Sequence, residues 1–367
     1  MIFRFSQEDN LVTISNSILK HFTGENLNLT NKKLDEILAQ KNYDKVVVML
    51  FDGLGKSIRR KNLSENDFLI KKEKFDITSV FPPTTAAATT AFLTGLYPNQ
   101  TGWIGWQQYF KQCDRVVEMF TNCDAKTKAL IKGPKISEMY LPTTSIIDII
   151  NESNKAKAYY LGPSYIQKGG GKNLIDFFEK GDALMKKDDR HFIYMYWTDP
   201  DSKIHQYGTK NYVVRDVVKD INRFVLKYSK KNKDNLIIVL ADHSLVDTTF
   251  FYTFEHEDFK ECLTNITSLD SRSSFFHVKD GKFDDFKRLF DKYYGKYFAL
   301  KTKEEVLNEK WFGPGVNHPL LEDFIGDFMA TSISAYGFTN DETCQMIGAH
   351  SGSLEEESLI SVSIINE

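Results

Sequence analysis

Cysteine is scarce. The four among 367 residues (Cys113, Cys123, Cys262 and Cys344) are scattered and form no CxxC pair. That pattern argues against a disulfide framework and against a thiolate zinc cluster. Long apolar runs are lacking as well: no stretch approaches the roughly 20 residues needed to span a bilayer. Met1-Ile2-Phe3-Arg4 shows no basic segment followed by an apolar one, so no signal peptide is visible. The expectation is a soluble, cytoplasmic protein without a membrane partner. Neither sign of charge dominates, since 47 Lys and Arg face 50 Asp and Glu for a formal net charge of −3. No global basic field exists to hold a polyanion, so extended nucleic-acid binding is not expected. Lys71-Lys72 and Lys230-Lys231 read as solvated faces. Internal repeats and low-complexity tracts are absent. Gly169-Gly170-Gly171 lacks the sequence context of a phosphate-binding loop and reads as a flexible one.

What is present is a strand–helix alternation. Lys45–Phe51 is a continuous β-branched apolar run, as suits a strand covered on both faces. It ends at Asp52-Gly53-Leu54-Gly55. Phe192–Trp197 repeats the pattern and ends in Thr198-Asp199-Pro200-Asp201, and Leu236–Leu240 ends in Ala241-Asp242-His243. Ile77–Phe81, Ala158–Leu161 and Phe275–Val278 are further expected strands. Helices are expected from Asn31, over Ser145–Glu152 and over Asn211–Tyr228. The order implies an α/β fold with a doubly wound, mostly parallel central sheet and helices on both faces. Such sheets place ligands at the carboxyl ends of their strands, so the three acidic strand ends share one rim. Residues 248–340 interrupt the rhythm and are expected to form a small α+β cap. In that cap a strand, a hairpin-like Asp280-Gly281, a helix over Asp284–Tyr293 and a strand near Tyr297–Leu300 follow one another. Residues 1–247 and 341–367 make the core.

Phe81-Pro82-Pro83-Thr84-Thr85 leads abruptly into a small-residue helix. Proline is tolerated at a helix start because its missing N–H would be unpaired there. Thr84 or Thr85 therefore stands where free N–H groups and the positive helix end favour an anion, although capping is the commonest role of such a threonine. Asp201 and His205 stand four apart, on one face of a helical turn, a spacing that suits two ligands of one metal. Asp242-His243 follows a buried strand, and His350 lies between small residues in Gly348-Ala349-His350-Ser351-Gly352. With Asp52 these make three aspartates and three histidines. They suffice for two divalent metal sites with mixed oxygen and nitrogen ligands, which suits zinc or manganese. Two such metals can clamp the attacking and leaving oxygens of an in-line phosphoryl displacement. A threonine hydroxyl beside them is a candidate nucleophile.

Taken in order, Asp52-Gly-Leu-Gly, Phe81-Pro-Pro-Thr-Thr, Thr94-Gly-Leu-Tyr-Pro, Asp199-Pro-Asp201 with His205, Asp242-His243 and Gly348-x-His350 resemble the alkaline phosphatase superfamily. The resemblance is to its type I phosphodiesterase/nucleotide pyrophosphatase branch and covers roughly residues 45–110, 190–247 and 345–353. It implies Asp201, His205 and His350 on one zinc and Asp52, Asp242 and His243 on the other. Thr85 would bridge them as nucleophile, forming a phosphothreonyl intermediate that is then hydrolysed. Thr85 keeps the family's spacing to Thr-Gly-Leu-Tyr-Pro, and Thr84 is left as a cap. The implied substrate is a small-molecule phosphate ester.

This chain departs from the family's nucleotide-hydrolysing members at two positions. Their phosphoryl-binding Asn falls here on Trp106, with Gln107 and Gln108 as candidate replacements. The aromatic residue that often follows their nucleophile is Ala86. Trp103, Trp106 and Tyr109 are candidates for another stacking wall. The alternatives within the fold are a phosphomonoesterase, a phosphosugar mutase-like isomerase and a non-catalytic binding protein. A monoesterase needs a cationic clamp, and Arg59 and Arg60, expected to face solvent, are the arginines close to the motifs. A sulfatase is disfavoured because no Cys/Ser-x-Pro-x-Arg context occurs.

Overall fold

Val46 to Phe51 are buried without interruption, and so is the whole of His191–Trp197. Continuous burial requires cover on both faces, and the topology supplies it. The computed structural model describes residues 2–41 and 43–366. A six-stranded sheet runs in the order Glu73–Thr78, Leu359–Ile365, Leu236–Leu240, Lys45–Phe51, His191–Trp197, Lys157–Leu161. The last four are mutually parallel, whereas Leu359–Ile365 is antiparallel to both of its neighbours. One helix set packs Leu11–Thr23 against Thr85–Thr94 and Ile146–Glu152. Another packs Leu174–Met185, Lys56–Asn62 and Phe68–Lys71 against Tyr212–Lys231. The expected helix starts at Asn31, Ser145 and Asn211 each carry a side-chain cap.

A second sheet of seven antiparallel strands takes Phe298–Thr302, Phe328–Ser332, Ser273–Phe276 and Ser268–Leu269 from the expected cap region. It continues through Gln107–Phe110, Arg115–Glu118 and Cys123–Asp124, so two distant stretches of chain build one layer. The aromatic side chains of Phe259, Phe276, Phe286, Phe290, Tyr294 and Phe338 form a core beneath helix Phe283–Tyr294. Gly281, with φ +76°, turns the chain into that helix and not into a hairpin.

Two further expectations are corrected here. The strand placed over Ile77–Phe81 is Glu73–Thr78, because the chain beyond it turns to bury Phe81 against Trp311 at 4.8 Å in the second sheet's core. Arg59 does not face solvent. It is fully buried and donates to Leu54 O, Val239 O and Ser363 Oγ, with burial lowering its pKa to about 10. Arg60 is exposed as expected. All four cysteines are free. Among the described residues no helix is long and apolar enough to cross a membrane.

Candidate active site

Each acidic strand end is set by the backbone that follows it. Asp52 donates its amide to Trp197 O at 2.9 Å, and Asp201 N donates to Asp52 O at 3.0 Å, which draws two strand ends together. Gly53 adopts φ +71°, and its N–H donates to Asp242 Oδ1 at 3.0 Å. A side chain at Gly53 would be strained by that φ and would also collide with Leu245. His205 follows Asp201 by one turn on helix Asp201–Tyr207. Gly348–Ala349 pairs with Val246–Asp247 and delivers His350. A Cβ on Gly348 would lie 2.7 Å from Ile204 O, so the close approach requires glycine there.

The structure brings the six sequence candidates together in two groups. Asp201, His205 and His350 offer ligand atoms that all lie within 4.8 Å of one another, and so do Asp52, Asp242 and His243. Asp201 Oδ2 is 3.2 Å from His205 Nε2, and His243 Nε2 is 3.5 Å from both Asp52 Oδ1 and Asp242 Oδ2. His205 Nδ1 is bonded to Gly348 O at 2.7 Å and His243 Nδ1 to Ser244 O at 3.2 Å. A carbonyl partner holds the proton on Nδ1 and leaves the Nε2 lone pair for a metal. Asp201 Oδ1, Asp242 Oδ2 and His350 Nδ1 are buried without a hydrogen-bond partner among the described residues. Such orphaned atoms cost about 1–3 kcal/mol each. A cluster of them with this donor set fits a divalent cation.

The electrostatics point the same way. Burial, reinforced by the charges of Asp242 and Asp201, pushes Asp52 well above the carboxylate range, against a hydrogen bond from Tyr196. Burial raises Asp242 too, opposed by His243. Burial acts to raise Asp201, but the charges of His205 and His350 hold it below its ordinary value. His205 would be lowered by burial, yet Asp201 lifts it to about 9. His350 falls well below its ordinary value through burial and the neighbouring His243. Crowded carboxylates that resist ionisation are what a bound cation relieves.

Thr85 Oγ1 lies 3.1 Å from His243 Nε2 and 3.3 and 3.4 Å from the two Asp52 oxygens. Its helix, Thr85–Thr94, is buried almost throughout and ends at Gly95 in the left-handed conformation. Thr84 occupies the N-cap position but makes no capping hydrogen bond. Its Oγ1 donates to Asp270 Oδ2 at 2.5 Å, which corrects the expected cap.

Asp270 and Tyr196 went unnoticed in the sequence. Tyr196 donates to Asp52 Oδ2 from inside an apolar strand, and Asp270 comes from the second sheet without a motif around it. Burial raises the Asp270 carboxyl, opposed first by the Thr84 hydrogen bond. Of the two candidates for the missing Asn, Gln108 is placed otherwise. Gln108 is buried and closes its own loop, donating to Gly102 O and accepting from Ile104 N. Trp103 and Trp106 both pack on Phe120, whereas Tyr109 lies on His277, so these rings form two groups and not one wall.

A mostly parallel sheet, a buried threonine at a helix start and two carboxylate–histidine groups are the features expected of a hydrolase of the alkaline phosphatase superfamily. Residues 46–353 match the type I phosphodiesterase/nucleotide pyrophosphatase family, and the chain belongs to it. Among curated proteins none matches the sequence significantly. The fold is shared with human ectonucleotide pyrophosphatase/phosphodiesterase 5, at 17% identity over 88% of each chain with a TM-score of 0.64. An inactive variant of the murine protein, in complex with AMP, gives 17% identity, 87% of each chain and 0.64. Phosphonoacetate hydrolase from Sinorhizobium meliloti, in complex with phosphonoformate, gives 14% identity over 87% of this chain and 89% of that one, again at 0.64.

Proposed function

We propose that the protein hydrolyses a phosphodiester or phosphoanhydride bond of a small molecule, with Thr85 as nucleophile. Two divalent metal ions, zinc before manganese, would be held by Asp201, His205 and His350 and by Asp52, Asp242 and His243. The observation that carries this reading is the position of Thr85 Oγ1, within 3.4 Å of a histidine nitrogen and both oxygens of an aspartate in one ligand group. When bound, divalent metals in such a site supply Lewis acidity, which lowers a nearby hydroxyl's pKa and offsets phosphoryl charge.

The chain's own residues do the rest. Thr85 Oγ gives up its proton and bonds to phosphorus while the bond to the leaving-group oxygen breaks on the opposite side, and that oxygen departs with the bonding pair and takes up a proton. Water then cleaves the threonyl phosphoester and restores the hydroxyl. Because the Thr84 side chain is turned to Asp270, it does not occupy the first-turn N–H groups of the helix, a favourable place for phosphoryl oxygens.

Diesters and anhydrides are preferred over monoesters because the arginines near the site are engaged elsewhere. Arg59 is bonded to two backbone carbonyls and Ser363, and Arg272, whose charge reaches His350, is held by Glu357. The bound AMP and phosphonoformate of the structural neighbours support a small phosphate or phosphonate as ligand. The test is metal analysis followed by hydrolysis of bis-para-nitrophenyl and para-nitrophenyl phosphate. We expect about two divalent ions per chain and a higher kcat/KM for the diester. A marked monoester preference would overturn the diester assignment. Interconversion of a phosphosugar with neither ester cleaved would favour an isomerase.

A further inference from the structure

Asp270 lies in the tight connection between the strands Ser268–Leu269 and Ser273–Phe276 of the second sheet, far in sequence from every core motif. Its Oδ2 accepts from Thr84 Oγ1, immediately before the nucleophile, and its Oδ1 accepts from Ser271 N at 2.6 Å. Both donors favour an ionised carboxylate, against the burial that raises its pKa. Its charge is felt by His205, from one ligand group, and it feels His243, from the other. A carboxylate is thus held against the residue that precedes the nucleophile, on a strand connection of the second sheet.

The charge balance makes that position consequential. With two divalent cations bound and Thr85 still protonated, the three candidate aspartates would leave one positive charge, which a diester's single negative charge neutralises. A monoester brings close to two negative charges at neutral pH. The nearby Arg272 cannot offset the excess, being held by both Glu357 oxygens at 2.7 and 2.9 Å. We propose that Asp270 is a specificity-determining residue, whose carboxylate disfavours dianionic phosphoryl groups and so biases the site toward diesters and anhydrides. This rests on the two-metal reading above.

The experiment compares the metal-loaded wild type with Asp270→Asn and Thr84→Val. Calorimetry gives the affinities for inorganic phosphate and for dimethyl phosphate, and turnover gives the ratio of kcat/KM for para-nitrophenyl over bis-para-nitrophenyl phosphate. Asp270→Asn should raise both mono-to-di ratios by about tenfold, the scale of one unit-charge interaction in a partly screened site. Thr84→Val removes the hydrogen bond without removing the carboxyl group and, measured at a pH where that carboxyl stays ionised, should leave both ratios within about twofold. A ratio unmoved in Asp270→Asn, or moved equally in Thr84→Val, would overturn the proposal while the diester assignment stands. A wild type that binds neither phosphate would sink the underlying reading and this one with it.

Discussion

Without metal, His205 holds its proton up to about pH 9, because Asp201 outweighs burial. Its Nδ1 is bonded to Gly348 O, so a metal must take Nε2 and displace that proton. Metal uptake below pH 9 should therefore release about one proton from this residue, and the apparent affinity should weaken as pH falls. Calorimetry in two buffers of different ionisation enthalpy reads the proton directly, and identical heats would count against His205 as a ligand. The same shift has a stability consequence. A folded pKa raised above the unfolded value of about 6.5 contributes stability that is full below 6.5 and lost as pH rises through about 9. At this scale the six ligand candidates were legible because Asp52, Asp201 and Asp242-His243 follow strand ends, His205 lies one helical turn from Asp201, and His350 stands between small residues. Asp270 was not, since nothing local in Leu269-Asp270-Ser271 distinguishes it from an ordinary turn aspartate. Tyr196 was hidden inside an apolar strand, where a tyrosine reads as core.

Among the elements, the buried strands were readable because continuous apolar runs have few other uses, whereas strands of two to four residues carry too little pattern. That is why Gln107–Asp124 was not recognised as sheet. Arg59 shows a different failure. On a short helix with Arg60 and Lys61 beside it, nothing local tells which basic side chain turns inward. The fold decides, by closing Leu359–Ile365 and Leu236–Leu240 around it. Arg59→Ala should cost about 3 kcal/mol, since it leaves buried acceptors unpaired and Glu73 without a buried partner. Arg60→Ala should cost under about 1 kcal/mol, as expected for an exposed pair. Urea denaturation of the two variants checks the contrast, and equal losses would show that Arg59 is not the strut described.

At the scale of the whole molecule, the stretch Asp270–Ser273 fastens the second sheet to the site. Asp270 receives Thr84, Arg272 N donates to Ser351 Oγ, and Ser273 Oγ donates to Ser351 O. Ser351 follows His350 and is held at φ +85°, a conformation unusual for a residue with a Cβ. The fully buried Arg272–Glu357 pair completes the joint, with Glu357 also accepting from Gly352 N at 2.8 Å. Arg272→Met leaves that carboxylate buried without its cation. It should cost about 3–5 kcal/mol and lower metal retention at the His350 group more than at the other. Denaturation and metal analysis of one preparation test both. We infer that Thr85, standing among the candidate ligands of one group, is the nucleophile. The direct measurement is diester turnover and metal content of Thr85→Ala and Thr84→Ala side by side. Thr85→Ala should keep its metal and lose turnover by about 10³-fold or more, with Thr84→Ala far less affected. A metal-loaded Thr85→Ala that still turns over, or an inactive Thr84→Ala beside it, would contradict the account.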